Sequence, residues 1–302
     1  MAKILITGGR GFIGSHLVAR LHNLGHEVGV FDVADGQDIC NYDQVRELVN
    51  GHDDVFHLAA VADLNYMRVH DKESLAINVH GTENVALACR DAGAVLYFAS
   101  TACVYGNQPV HPVDENTLPR PAELYAGSKL AGESIIVGLS KTHGLKYNLM
   151  RFATIYGPGT RPALASHIFM GQALRGEDIT VHGTGEQTRT LTYIDDLIHG
   201  IVALHRSGKV NDVWNLSAEA EVSALRMATE IRYLTHSDSR IVFIPDRPGQ
   251  TFRESISAEK MRRATGWHAR TDWSMGAQKM LEWFIATNQV KNRYRIPEAI
   301  KV

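Results

Sequence analysis

Tyr125 and Lys129 stand four residues apart. On a helix that spacing puts two side chains on one face. The pair has a clear chemical use. An ammonium beside a phenol favours the phenolate and draws its pKa down from about 10 toward neutrality. A phenolate can take the proton of a hydroxyl while hydride leaves the same carbon. Thr101 follows the apolar run Val95-Leu96-Tyr97-Phe98-Ala99-Ser100. Its hydroxyl can hold the reacting oxygen and relay the proton. By itself Tyr-x-x-x-Lys describes many helix surfaces, so its meaning depends on a second stretch.

That stretch is Thr7-Gly8-Gly9-Arg10-Gly11-Phe12-Ile13-Gly14, between the apolar run Ile4-Leu5-Ile6 and an amphipathic run ending at Leu24. It reads as strand, tight turn and helix. Glycine lets the backbone turn sharply and approach a diphosphate, and the helix N-terminus offers free N–H groups and a positive dipole end. Gly8, Gly11 and Gly14 fit one glycine spacing; Gly9, Gly11 and Gly14 fit another. Phe12 and Ile13 lie between the last two and count with the cofactor-binding residues. Asp32 ends a second apolar run, where an acid meets the ribose hydroxyls of an adenine dinucleotide. No arginine follows Asp32 closely, and the acid repels a 2′-phosphate, so the cofactor is expected to be NAD. Only residues 33–37 separate Asp32 from Asp38 and Ile39. The crossover is therefore cut down, with Asp38 and Ile39 near the adenine end; a plain surface loop is the other reading. His57-Leu58-Ala59-Ala60 ends a strand and is expected to border the cofactor, with Asp63, Asn65, Tyr66 and Arg68 in a loop beyond it.

The elements that position these residues follow from alternation. Strand-like runs at 3–7, 28–32, 54–59, 95–100 and 146–152 are separated by helical stretches, including 71–91 and 122–144. That pattern means an α/β, doubly wound parallel sheet, with ligands at the carboxyl ends of the strands. Further strands are expected at 179–182, 213–216 and 241–244, and helices at 164–175, 194–206 and 222–233. Trp214, Trp267, Trp273 and Trp283 are expected in the core, and the tail from Lys291 loosely ordered. A net charge of −2 offers no basic field for nucleic acid or a membrane surface. No apolar run approaches the roughly 18–20 residues that span a bilayer, and no leader precedes Lys3. The three cysteines, Cys40, Cys89 and Cys103, are read as reduced thiols of a cytoplasmic protein. No spacing suggests a metal; His22 and His26 lack a third ligand.

Taken together, these words resemble the extended short-chain dehydrogenases, specifically the nucleotide-sugar epimerase/dehydratase family. The similarity extends to Asn78-Val79-His80-Gly81-Thr82, Ser100-Thr101-Ala102-Cys103-Val104-Tyr105-Gly106, Arg151-Phe152-Ala153-Thr154-Ile155-Tyr156-Gly157-Pro158, Arg189-Thr190-Leu191-Thr192-Tyr193-Ile194-Asp195-Asp196 and Arg247-Pro248-Gly249. The resemblance implies NAD held tightly, in part by Leu58, Ala59, Ala60, Asn78 and Ser100, and catalysis by Thr101, Tyr125 and Lys129. It implies a Rossmann domain (1–160 with 187–217), a smaller C-terminal domain that binds a nucleotide sugar (161–186 with 218–302), and a homodimer. Arg189 and Arg247 match the arginines that hold the substrate's diphosphate, and an arginine fork suits phosphate oxygens.

Sugar-nucleotide 4,6-dehydratases resemble this strand end but carry an Asp-Glu pair after the threonine, and the related decarboxylases keep a Glu. Ala102 and Cys103 supply neither, which favours a 4-epimerase. Thr154, with Arg161 in Gly159-Thr160-Arg161-Pro162, resembles the subgroup acting on UDP-glucuronate, since arginine pairs with a carboxylate. A uronate and a neutral UDP-hexose both stay open. The short crossover resembles 4-ketosugar reductases that use NADPH, which is the alternative reading; a non-catalytic dinucleotide-binding protein is the second. Departures from the family are Ala62 in place of a lysine, Leu191 in place of an aromatic, and Gln250 in place of Asp.

Overall fold

Residues 1–246 and 251–287 are described by the computed structural model. The first half runs β1 (Lys3–Thr7), α1 (Phe12–Asn23), β2 (Glu27–Phe31), α2 (Tyr42–Val49), β3 (Asp54–His57), α3 (Leu64–Val69), α4 (Asp71–Leu75), α5 (Gly81–Ala92) and β4 (Val95–Thr101). Then come α6 (Leu124–His143), β5 (Tyr147–Phe152), β6 (Thr154–Tyr156), α7 (Ala165–Arg175), β7 (Ile179–His182), β8 (Thr188–Tyr193), α8 (Ile194–Arg206) and β9 (Asp212–Leu216). The remainder is β10 (Glu221–Ser223), α9 (Ala224–Leu234), β11 (Ile241–Ile244), α10 (Glu259–Thr265) and α11 (Trp273–Ala286).

The main sheet has six strands in the order β2-β1-β3-β4-β5-β9, and every pairing is parallel. Successive side chains of a strand point to opposite faces. Ile4 and Ile6 accordingly join the core beneath α1 and α8, while Leu5 joins the core beneath α2, α5 and α6. Both faces are covered, which is why these strands read as unbroken apolar runs. β2 is an edge strand. Among the described residues no strand lies beyond it, because the chain passes from Asp32 through one short turn, Val33–Asp35, into α2 and back to β3. The shortened crossover is thus a feature of the fold.

Two expectations change. Asp63, Asn65, Tyr66 and Arg68 do not form a loop: Asp63 caps α3 by accepting the N–H groups of Asn65 and Tyr66. The expected helix over 71–91 is α4 and α5 joined by a π turn, Ala76–His80. It ends at Gly93, which takes the left-handed conformation at φ 71°.

The segment 187–217 returns to the main sheet through α8 and β9, while β8 within it sits between β6 and β10 in a separate three-stranded sheet. β7 and β11 make a third, two-stranded sheet. Strands β6, β8 and β10 carried no alternation long enough to announce them. Trp214, Trp267 and Trp273 are buried and Trp283 packs at the margin of the same core. All three cysteines are free. The tail from Lys291 lies outside the described residues.

The small sheet is held to the C-terminal helix by a close contact. Tyr156 Oη donates to the Asp272 carbonyl at 3.2 Å, and its ring lies against Gly276, where a Cβ would run into the phenol oxygen. Gly276→Ala is expected to destabilise the protein by about 2 kcal/mol. An unchanged urea midpoint would show that this contact has slack.

Candidate active site

β1 delivers the chain to the glycine turn at its carboxyl end. Gly8 has φ 71°, and a Cβ there would lie 2.7 Å from the Ala59 nitrogen. A Cβ on Gly14 would collide with the Gly8 carbonyl. The turn is closed by Gly11 N–H donating to the Gly8 carbonyl at 3.0 Å. Gly11 leads into α1 with no side-chain cap, and the helix's first internal bond is from Ser15 N–H to the Gly11 carbonyl at 2.9 Å. The N–H groups of Phe12, Ile13 and Gly14 therefore have no helical partner, which suits a diphosphate.

At the edge of the sheet Asp32 accepts the Arg10 N–H at 2.9 Å and the Ala34 N–H at 3.0 Å. Its carboxylate is oriented by the backbone and keeps lone pairs for a ribose. The fold also brings the Arg10 guanidinium to this edge, although no arginine follows Asp32 closely in sequence. Asp35 holds it through Nε at 2.7 Å. Asp38 accepts the Cys40 N–H at 2.8 Å. Ile39 is buried and fills the space beside Gly81.

A buried polar chain runs behind the turn. Thr82 Oγ1 donates to the Asn78 carbonyl at 2.7 Å, so it accepts from His57 Nε2 at 3.0 Å. Burial, with the Lys129 charge adding, holds His57 down to about 3, hence neutral. Its Nδ1 then accepts from Thr7 Oγ1 at 2.7 Å, and Thr7 Oγ1 accepts the Ala59 N–H at 3.3 Å. In the π turn, Asn78 accepts the Val61 N–H at 2.8 Å and donates to the Val61 carbonyl at 2.9 Å and to Ser128 Oγ at 3.1 Å. Ser128 donates to the Tyr125 carbonyl at 2.8 Å. Asn78 is thus a brace between the strand end at Leu58, Ala59 and Ala60 and the catalytic helix.

That helix, α6, presents Tyr125, Lys129 and Glu133 along one face. Glu133 is gripped by Arg151 of β5, through Nε at 2.9 Å and Nη2 at 2.6 Å, and it accepts from Ser100 of β4. Lys129 is 2% exposed, with Nζ 4.8 Å from the centre of the Phe98 ring. Tyr125 is half-buried and shares a hydrogen bond with the Thr101 side chain. Thr101 Oγ1 also accepts the Cys103 N–H at 3.2 Å. The three expected catalytic side chains converge on the carboxyl end of β4.

The electrostatics differ from the sequence expectation. Burial pushes the Tyr125 phenol up and Cys103 adds to it, while Arg161 and the Thr101 bond pull it down. Lys129 is not among the groups acting on it. Burial pushes Lys129 itself down to about 7, with Glu133 pulling the other way. The amine lies one turn deeper than the phenol, and burial is the largest influence on each.

Of the substrate residues, Thr154 heads β6 and donates from Oγ1 to Glu254 Oε1 at 3.3 Å. Arg161 reaches across to the Ala62 carbonyl. Arg189 in β8 donates from Nη1 to the Thr188 carbonyl at 2.7 Å, and its charge is felt by Cys103 and Glu254. Arg247 lies outside the described residues. Sequence reasoning missed Glu133, Ser128, Thr82 and Glu254. Glu133 had a signal, one helical turn beyond Lys129, and Arg151 had one as a charge within the apolar run of β5. Glu254 had none.

A parallel sheet with a glycine turn at its first strand, and a Thr–Tyr–Lys group at its fourth, defines an extended short-chain dehydrogenase/reductase. Residues 4–217 match the model of the NAD dependent epimerase/dehydratase family, and the chain belongs to that family. A UDP-N-acetyl-alpha-D-glucosaminuronate decarboxylase of Bacillus cytotoxicus is 30% identical, over 93% of this chain and 97% of that one. A UDP-glucose 4-epimerase of Thermotoga maritima superposes with a TM-score of 0.90 at 27% identity, covering 95% of this chain and 99% of the other. A UDP-glucuronic acid 4-epimerase of Bacillus cereus, solved with NAD, superposes at 0.89 with 27% identity, covering 94% and 99%. The chain is an NAD-dependent enzyme that modifies nucleotide sugars.

The Lys129 shift has a measurable consequence. The amine is held near 7 in the fold against an ordinary 10.5. Between those values the unfolded chain binds more protons, so stability rises with pH through that window, and the penalty is complete below it. Lys129→Met is expected to raise the thermal midpoint of the cofactor-free protein more at about pH 6 than at about pH 10. Equal shifts at both would show that the amine carries no linkage.

Proposed function

We propose that the chain is an NAD-dependent epimerase that inverts C4 of a nucleotide sugar. The observation that carries the reading is the end of β4. Thr101 is followed by Ala102 and Cys103, and burial pushes the Cys103 thiol up to about 11, so it stays neutral. Elimination of water at a sugar carbon needs a carboxylic acid and a base beside it. Neither is supplied by the two residues that follow Thr101, Ala102 and Cys103. Epimerisation needs one group that takes the C4 hydroxyl proton and hands it back.

Tyr125 is that group, through its phenol oxygen, with Thr101 holding the C4 oxygen and passing the proton. Lys129, one helical turn from the phenol, would supply positive charge below it when protonated. The free N–H groups at the start of α1, with Gly8, Gly11 and Gly14, would hold the diphosphate of NAD, and Asp32 its adenine ribose. NAD held there would supply a hydride acceptor that is restored within each turnover. Arg189 and Arg247 would hold the nucleotide's diphosphate beside the small sheet. We assign residues 1–160 with 187–217 to cofactor binding and residues 161–186 with 218–302 to the sugar, in a homodimer.

Relatives of this chain carry names of decarboxylases as well as epimerases, so the experiment must read the product. A panel of UDP- and dTDP-sugars, incubated with the NAD-loaded protein and followed by NMR, is expected to show a C4 epimer with no net change in nicotinamide absorbance. Steady consumption of NAD(P)H with a 4-keto substrate would establish a reductase instead. Tyr125→Phe is expected to lower kcat by at least about 1,000-fold while NAD remains bound. Turnover at the native rate in that variant would remove Tyr125 from the chemistry.

A further inference from the structure

The sequence presented Thr154 and Arg161 as readers of a carboxylate on the sugar. The fold places a carboxyl group of the protein there. Glu254 N–H donates to the Thr188 carbonyl at 3.1 Å, which lays the segment along β8. Its side chain turns inward, to 7% exposure, and Thr154 Oγ1 donates to Oε1 at 3.3 Å. Among the described residues none makes an ion pair with it, although Arg189 acts on it through its charge. The adjacent Arg253 turns outward onto Glu221, Nη2 to Oε1 at 2.7 Å. Arg189 has one arm committed to the Thr188 carbonyl. Arg161 is directed at Ala62. On its other side Glu254 acts on the Cys103 thiol, whose backbone is bonded to Thr101. The carboxyl therefore lies one side chain away from the reacting group.

We infer that Glu254 determines specificity, closing the Thr154 end of the sugar pocket to a C6 carboxylate and selecting a nucleotide sugar whose C6 is uncharged. The inference rests on the nucleotide-sugar reading above and narrows it. Two carboxylates that share a water-poor site cannot both ionise without a compensating cation. Burial already pushes the Glu254 carboxyl up, with Arg189 and Thr154 pulling it back. A second negative group would add to that penalty. A C6 hydroxyl meets no such barrier: it can donate to the carboxylate or accept from the protonated acid. Thr154, a reader of carboxylate oxygens by its hydroxyl, has that hydroxyl turned to Glu254. Like charges brought together at a binding site are disfavoured, here by a preference of about 100-fold, which converts to about 2.8 kcal/mol.

The test is calorimetric titration of the NAD-loaded protein with UDP-glucose and with UDP-glucuronate. The wild type is expected to bind UDP-glucose about 100-fold more tightly. In Glu254→Gln, which keeps shape and removes charge, and in Glu254→Thr, which removes the carboxyl altogether, the ratio is expected to fall below about 10-fold. Equal affinities in the wild type overturn the inference, and that arm needs no variant. A ratio that persists in both variants also overturns it, because the discrimination then comes from elsewhere. Failure of the wild type to bind either sugar overturns the nucleotide-sugar reading itself, and this inference with it.

Discussion

The buried ion pair between Arg151 and Glu133 sets the position of everything that can react. Its side chains are 6% and 5% exposed, and it joins the middle of the catalytic helix to the strand beside the one ending in Thr101. Such a pair is a poor source of net stability, because desolvation offsets most of its attraction. Its effect here is geometric. With Glu133 gripped from β5 by Arg151 and from β4 by Ser100, α6 cannot rotate, and the turns before it must present Lys129 and Tyr125 to the same strand end. The Arg151 Nη1 also donates to Tyr105 Oη at 3.0 Å, and Tyr105 donates to Asn215 at 2.8 Å. The constraint thereby extends to β9 and to the turn that follows Thr101.

The cofactor side depends on the same kind of enforcement by different means. Glycine is needed at Gly8 for a positive φ and at Gly14 because the Gly8 carbonyl occupies the space of a Cβ. Behind it, the neutral ring of His57 links Thr7 at the turn to Thr82 on α5, while Asn78 links the strand end at Val61 to Ser128 on α6. Cofactor cradle and catalytic helix are therefore parts of one hydrogen-bonded interior. The π turn carrying Asn78 departs from regular helix where that connection is made, as such turns often do at functional sites.

Charge inside the pocket is scarce and placed with care. Lys129 is held near neutrality by burial with Glu133 opposing, the Tyr125 phenol is pushed up, and the Cys103 thiol stays neutral. Arg161, with Thr101, pulls the phenol back down. Glu254 adds a buried acid beside Thr154, pushed up by burial and pulled back by the Arg189 charge. The reaction assigned to Tyr125 requires one proton to leave and return. The Glu254 carboxyl lies against Thr154 and within the field of the Cys103 thiol.

Much of this was legible in the chain. Strands of a parallel sheet covered on both faces are apolar throughout, so 3–7, 95–100 and 146–152 announced themselves. Glycine spacing is imposed by local sterics, so the turn at Gly8–Gly14 could be read without a partner in view, and helical period put Tyr125 and Lys129 on one face, a pairing to which that turn gave meaning. Ala102 and Cys103 could be read as an absence of carboxylates because they adjoin Thr101 in sequence. What required the tertiary structure was every relation between distant segments. Strands as short as β6, β8 and β10 are specified by their neighbours rather than by their own pattern. Arg10 reaches the Asp32 edge only because the turn folds over it. The depression of Tyr125 by Lys129 was inferred from proximity, but depth of burial decides the balance of such terms, and depth is a property of the whole fold. Glu254 shows this most directly. It lies one hundred residues from Thr154, between an arginine and a serine that gave no hint, and only the packing of its segment against β8 turns its side chain inward onto Thr154.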